Sequence, residues 1–167
     1  EADAIEFNNW AAERYGKRHV ASPRFAPTTG PDVIAASAVA ASNVDGFSQT
    51  HMCETHEEIE WVKSIYNELP GFEDIDSYIQ VYERTGFLGP RTVLGHCIHL
   101  TDAEWNLMAE TDTIIASCPT SNGPLEECGL GSGLFDFQRA DREGVRWALG
   151  TDIGGGPYLS MLDVMAS

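Results

Sequence analysis

Five short β-prone runs alternate with helix-like segments along this chain, and that alternation limits its folds more than any other feature. The runs are His19–Phe25, Phe47–Met52, Arg91–His96, Thr113–Cys118 and Val145–Leu149. A helical pattern over Ile5–Tyr15 precedes the first. The others are followed by an alanine-rich segment from Pro31 to Ser42, apolar spacing from Ile59 to Leu69 and again from Ile75 to Tyr82, a segment running to Ala109, then Leu134–Glu143 and Ser160–Met165. Strand and helix in strict succession predict an α/β fold with parallel strands. The punctuation agrees. Pro31 suits a first helical turn, and Thr55–Glu58 and Thr101–Glu104 have the spacing of capping boxes. Pro23 and Pro27 stop the first run, and Pro119 stops the fourth. Ser121–Gly133, rich in glycine and serine, is the one stretch that reads as a linker.

At 167 residues the chain is expected to form a single domain with a sizeable core. With 26 acidic and 10 basic residues its net charge is −16, which repels phosphate backbones and argues against a nucleic-acid partner. No apolar run reaches the length of a membrane span, and no signal-peptide pattern opens the chain. The first residue is Glu1, so a processed or cut N-terminus is expected. Cys53, Cys97, Cys118 and Cys128 lie far apart with no paired motif, which predicts reduced thiols and a cytoplasmic protein. Cys97 and Cys118, in apolar runs, are expected to be packing residues.

The chemistry sits where runs end. His51 closes the second run, His96 the third, and Asp152 follows the fifth. In parallel α/β folds functional groups gather at the carboxyl ends of strands, so these three are expected to converge. Two imidazoles and a carboxylate suit one divalent metal ion; zinc is expected, with iron the alternative. Glu54, three residues beyond His51 and one step back from the metal, is placed as a proton carrier. Arg24 and Phe25 offer a planar donor fork and a flat apolar face, together suited to a heteroaromatic ligand bearing carbonyl groups. Singly, each has an ordinary explanation. A lone histidine is more often a bonded core or surface residue, an aspartate before Gly154-Gly155-Gly156 is more often a turn residue, and His19, His56 and His99 are histidines without an assigned role.

Taken together, the runs Pro23-Arg24-Phe25-Ala26-Pro27-Thr28, Gln49-Thr50-His51-Met52-Cys53-Glu54, Gly95-His96-Cys97-Ile98-His99-Leu100, Cys118-Pro119-Thr120-Ser121-Asn122 and Gly150-Thr151-Asp152-Ile153-Gly154-Gly155-Gly156 resemble guanine deaminases of the metal-dependent amidohydrolase superfamily. The resemblance covers nearly the whole chain, in order. It implies part of a TIM (β/α)8 barrel and hydrolytic deamination of guanine to xanthine and ammonia by a metal-activated water. It assigns His51, His96 and Asp152 as metal ligands, Asp152 also as the base, Glu54 as the proton shuttle, and Arg24 and Phe25 as purine contacts.

Two departures qualify it. The His-x-His pair that the family carries on its first barrel strand is absent, and only five of eight βα units are legible, so the chain resembles the fourth-to-eighth-strand part of the barrel. Gly123–Gly129 is an extra stretch on the active-site side. The alternatives are accordingly a deaminase or chlorohydrolase of the same superfamily acting on another ring, or a non-catalytic remnant. A five-stranded open sheet would present two edges, so a homo-oligomer or membership of a longer chain is expected.

Overall fold

The computed structural model describes residues 2–125 and 129–167. Five parallel strands, β1 (Val20–Ala21), β2 (Phe47–Met52), β3 (Thr92–His96), β4 (Ile114–Ser117) and β5 (Trp147–Leu149), form one sheet in sequence order. The helices between them are α1 (Ala2–Tyr15), α2 (Pro31–Ser42), α3 (His56–Tyr66), α4 (Ile79–Arg84), α5 (Asp102–Glu110), α6 (Pro119–Asn122), α7 (Phe137–Glu143) and α8 (Met161–Ala166). The expected α/β alternation is therefore present. The first strand is shorter than His19–Phe25. Pro23 lacks an N–H for the ladder, and the chain passes through an extended stretch into a 3₁₀ turn at Ala26–Thr28.

Register aligns the strand ends. Thr50 pairs with Leu94, His51 with Gly95 and Met52 with His96, while Gly95 pairs with Ala116 and Ser117 with Leu149. Side chains alternate across the sheet. Thr50, Met52, Leu94 and Ile115 are buried, and the core joins the last three to Val62, Tyr66, Tyr78, Tyr82, Trp105 and Met108. Full burial of each such side chain stabilises by roughly 1.5–3 kcal/mol. The opposite face, with Gln49, His51, Val93, Gly95 and Ala116, lines an open cavity of about 540 Å³.

Helix caps position the segments after the strands. Thr101 and Glu104 form a complete capping box. At α3 the pattern is modified: Thr55 accepts from Glu58 N–H at 3.1 Å, but the Glu58 carboxylate reaches the N–H of Glu54 at 2.8 Å. That bond fixes the backbone of Glu54. Glu104, 2 % exposed, also accepts from Ile79 N–H at 3.3 Å, tying α5 to α4.

Candidate active site

His51, His96 and Asp152 arrive from three strands and bring one ligand atom each within 4.8 Å of one another. Strand parity alone would not do this. His51 belongs to the open face of β2, whereas His96 falls in the buried series of β3 with Thr92 and Leu94. The backbone of His96 turns left-handed at φ 68°, which carries its side chain out of the buried series into the cavity beside His51. The two imidazoles stack at 5.3 Å and 22°. Cys53, Cys97 and Asp152 are left-handed too, at φ 52°, 53° and 50°. Each such residue with a Cβ costs about 1–2 kcal/mol, a strain that clusters at functional sites.

Hydrogen bonds define the donor set. His51 Nδ1 lies 2.6 Å from the carbonyl oxygen of Arg24, which can only accept. Nδ1 therefore carries the proton and Nε2 presents its lone pair. A carbonyl behind a ligating imidazole is the usual means of orienting it. Asn122, 1 % exposed, stands between His96 and Glu54. Its amide faces His96 Nδ1 with Nδ2 at 3.1 Å and Oδ1 at 3.3 Å, and its Nδ2 donates to Glu54 Oε1 at 3.2 Å. Ser132 Oγ donates to the same oxygen at 3.3 Å. Asp152 Oδ2 accepts from Ser121 Oγ at 2.5 Å. Asp152's carbonyl accepts from the N–H groups of Gly155 and Gly156 at 2.9 and 2.7 Å. A Cβ on Gly155 would lie 2.5 Å from Asp152 Oδ2, so glycine there makes room for the carboxylate.

All six residues singled out in the sequence face one cavity of about 350 Å³, lined by Arg24, Phe25, His51, Glu54, His96 and Asp152 together with Leu130 and the Ile153–Gly155 turn. Arg24 is exposed, with its guanidinium 5.2 Å from the Phe25 ring centroid. Phe25 meets the edges of His51 at 6.3 Å and Trp61 at 6.2 Å. The cavity thus has a cluster of acceptors on one side and a flat aromatic wall with a donor fork on the other. Two imidazoles and a carboxylate at this spacing fit a divalent transition metal.

Ser121, Asn122 and Ser132 were given no role in the sequence, although Ser121 and Asn122 close one of the resembling runs, because Ser121–Gly133 reads there as a linker. The structure corrects that reading. Pro119–Asn122 is the short helix α6, and Ser121, Asn122 and Ser132 are all buried against the site. The stretch closes on itself: Leu130 N–H donates to the Ser121 carbonyl, Gly131 to Gly123 and Gly133 to Asn122, at 2.7–3.1 Å. The extra residues at Gly123–Gly129 therefore leave from a bonded base that keeps Asn122 and Ser132 in place. Positions 126–128, Cys128 included, lie outside the described residues. Cys53, Cys97 and Cys118 are buried free thiols. Burial raises the Cys53 and Cys97 thiols well above their ordinary range. The Cys118 thiol is pushed up to about 12, by burial first and by the nearby Asp152 and Glu54 carboxylates second.

A parallel sheet with two imidazoles and a carboxylate gathered at its carboxyl ends is the arrangement of metal-dependent (β/α) barrels. The chain belongs to the amidohydrolase family, whose model matches residues 11–167, and amidohydrolases use a divalent metal ion. Guanine deaminase of Escherichia coli K12 is 41% identical over 145 residues, which are 86% of this chain and 30% of that protein. In structure, E. coli guanine deaminase superposes with a TM-score of 0.86 at 37% identity, over 98% of this chain and 37% of the other. Guanine deaminase from C. acetobutylicum, solved with guanine in its active site, gives 0.85 at 26% identity, over 99% of this chain and 38% of the other. The fold is thus that of the guanine deaminase barrel at partial coverage, and the chain spans 30% of the length of the curated guanine deaminases of E. coli and Dictyostelium discoideum that it matches. Among the described residues, no helix is long and apolar enough to cross a membrane.

Proposed function

We propose that this chain carries the fourth-to-eighth-strand part of a guanine deaminase site, which releases ammonia from guanine by hydrolysis to leave xanthine, a step of purine breakdown. The observation that carries the reading is the meeting of His51, His96 and Asp152 within 4.8 Å, opposite Glu54 and beside Phe25 and Arg24. His51 through Nε2, His96 and Asp152 would hold one divalent ion, zinc by donor chemistry, with iron the alternative. When bound, such an ion lowers the pKa of a water toward neutrality and supplies the nucleophile.

The remaining steps belong to side chains of this chain. Phe25 stacks the purine, and the Arg24 fork donates to its carbonyl oxygen. Asp152, steadied by Ser121, takes the proton that the attacking water gives up. Glu54, held through Oε1 by Asn122 and Ser132, delivers a proton to the ring nitrogen beside the amino-bearing carbon. Asp152 then returns its proton to the amino group, which leaves as ammonia while the new hydroxyl gives its proton back to Glu54 and becomes the second carbonyl of xanthine. Positioned proton transfer of this kind contributes about 10²–10⁴-fold.

The chain is further proposed to form the fourth-to-eighth-strand part of the barrel, completed by other chain or by a second copy. Its open sheet, its partial coverage of the relatives and the absence of a His-x-His pair support this. Three buried free thiols support a reducing, cytoplasmic location. The test is ammonia release from guanine by zinc-supplied protein. Glu54→Gln is expected to lower turnover by about 10²–10⁴-fold while keeping zinc and guanine binding. Turnover of another ring system with none on guanine would sink the assignment.

A further inference from the structure

Behind the site, α4 presents two stacked tyrosines to β2: Tyr78 and Tyr82 lie 5.5 Å apart, both fully buried. A phenol has one proton to give and can accept two. Tyr82 Oη makes its shortest contact, 2.7 Å, with the carbonyl of His51, so its proton goes there. The same oxygen accepts from Ala26 N–H at 3.3 Å and stands 3.4 Å from Tyr78 Oη. Neighbouring hydroxyls make longer contacts here: Tyr78 Oη reaches the same His51 carbonyl at 3.4 Å, and Thr50 Oγ1, 3.4 Å from Tyr82 Oη, donates at 3.1 Å to the Arg24 carbonyl, the oxygen that also accepts from His51 Nδ1. Burial holds the Tyr82 phenol above its ordinary range, so it remains a donor.

The geometry points to Tyr82 as a positioning residue: its hydroxyl clamps the carbonyl of His51 to the amide of Ala26, and so fixes the Arg24–Phe25 segment relative to the His51 imidazole. Backbone pairing alone does not hold this relation. β1 pairs with β2 only through Val20 and Ala21, and Arg24–Ala26 lie beyond that ladder. Ala26 is buried although it opens a 3₁₀ turn, where its amide has no partner within the turn. Tyr82 supplies that partner from an element outside the site. The consequence for zinc and guanine rests on the roles proposed above for His51, Arg24 and Phe25; the clamp itself does not.

Two measurements separate these layers. In the metal-free chain, NMR is expected to show a slowly exchanging Tyr82 hydroxyl proton in contact with the Ala26 amide, and Tyr82→Phe is expected to speed Ala26 amide exchange at least about tenfold. In zinc titrations with guanine as second ligand, Tyr82→Phe is expected to weaken zinc binding by about 10-fold, the lower end of the range for outer-shell changes, and to weaken guanine binding with it. Thr85→Val is the control. The Thr85 hydroxyl on the same helix bonds only the Val81 and Tyr82 carbonyls, so its loss is expected to leave zinc affinity and Ala26 exchange unchanged. Unaltered Ala26 exchange in Tyr82→Phe overturns the clamp. So does absence of the hydroxyl contact in the unsubstituted chain, a result that does not depend on the variant folding. Loss of Ala26 protection in a chain that binds neither zinc nor guanine upholds the clamp and rejects the functional reading instead.

Discussion

The two sides of the site are built differently. His51 and His96 stand at the ends of adjacent inner strands that pair over five residues of register. Their flanks are continuous with the core through Met52 and Leu94, both 0 % exposed. Asp152 follows an edge strand of three residues whose side chains are exposed or half-buried. Beyond it, Ile153, Leu159 and Leu162 are largely open to solvent. What holds Asp152 lies outside the sheet: the Ser121 hydroxyl from α6, two glycine N–H groups and a left-handed turn. Ligands on the inner strands are thus placed by sheet register, and the ligand at the edge by turn chemistry. The first arrangement should fail with the fold, the second without it.

The widest gap between the two regions should appear in stability. Leu94→Ala, in the inner sheet, is expected to cost about 2–5 kcal/mol in denaturant unfolding, against about 1 kcal/mol for Leu149→Ala on the half-buried edge strand. Equal costs would mean that β5 is as integral to the core as β3. A pair of glycine substitutions sharpens the other half of the comparison. Gly155→Ala places a methyl 2.5 Å from the Asp152 carboxylate, whereas Gly95→Ala meets the Thr50 carbonyl at an ordinary 3.5 Å. Zinc affinity, read by chelator competition, is expected to fall about 10-fold in the first and to hold in the second, with melting temperature nearly unchanged by Gly155→Ala.

The smallest effect is one of pH. The Cys118 thiol, raised from an ordinary 9.0 to about 12, keeps its proton in the folded state while an unfolded chain loses it. The folded state then binds more protons than the unfolded one between about pH 9 and 12, so stability is full below that window and declines as pH rises through it. Buried Tyr66, Tyr78 and Tyr82, whose phenols are also raised by burial, push the same way. Urea midpoints between pH 8 and 11 check the slope. At pH 8 the three described cysteines are expected to react with a thiol reagent only on unfolding.

What could be read from the sequence follows the same division. The strands under His51 and His96 were legible because an apolar run ending in a polar residue stands out, and because parallel sheets collect function at such ends. Thr101 and Glu104 announced their cap by spacing alone. The roles of Asn122, Ser121 and Ser132 were not legible. Serine, asparagine and glycine in close succession have the composition of a loop, and the burial of a polar side chain makes sense only once its distant partner is known. Here those partners are Glu54 and Asp152, 68 and 31 residues away in sequence. The parity conflict between His51 and His96 was equally hidden, since strand periodicity says nothing of a left-handed residue at the strand's last position.

That left-handed backbone has a consequence for how such a site can drift. At Cys53, His96, Cys97 and Asp152 glycine would relieve the backbone, and at His96 and Asp152 the same exchange would delete the chemistry. Selection for stability and selection for the site therefore pull in opposite directions at those two positions. A descendant freed from its reaction has a short route toward a calmer fold, one that replaces ligands before it disturbs the core.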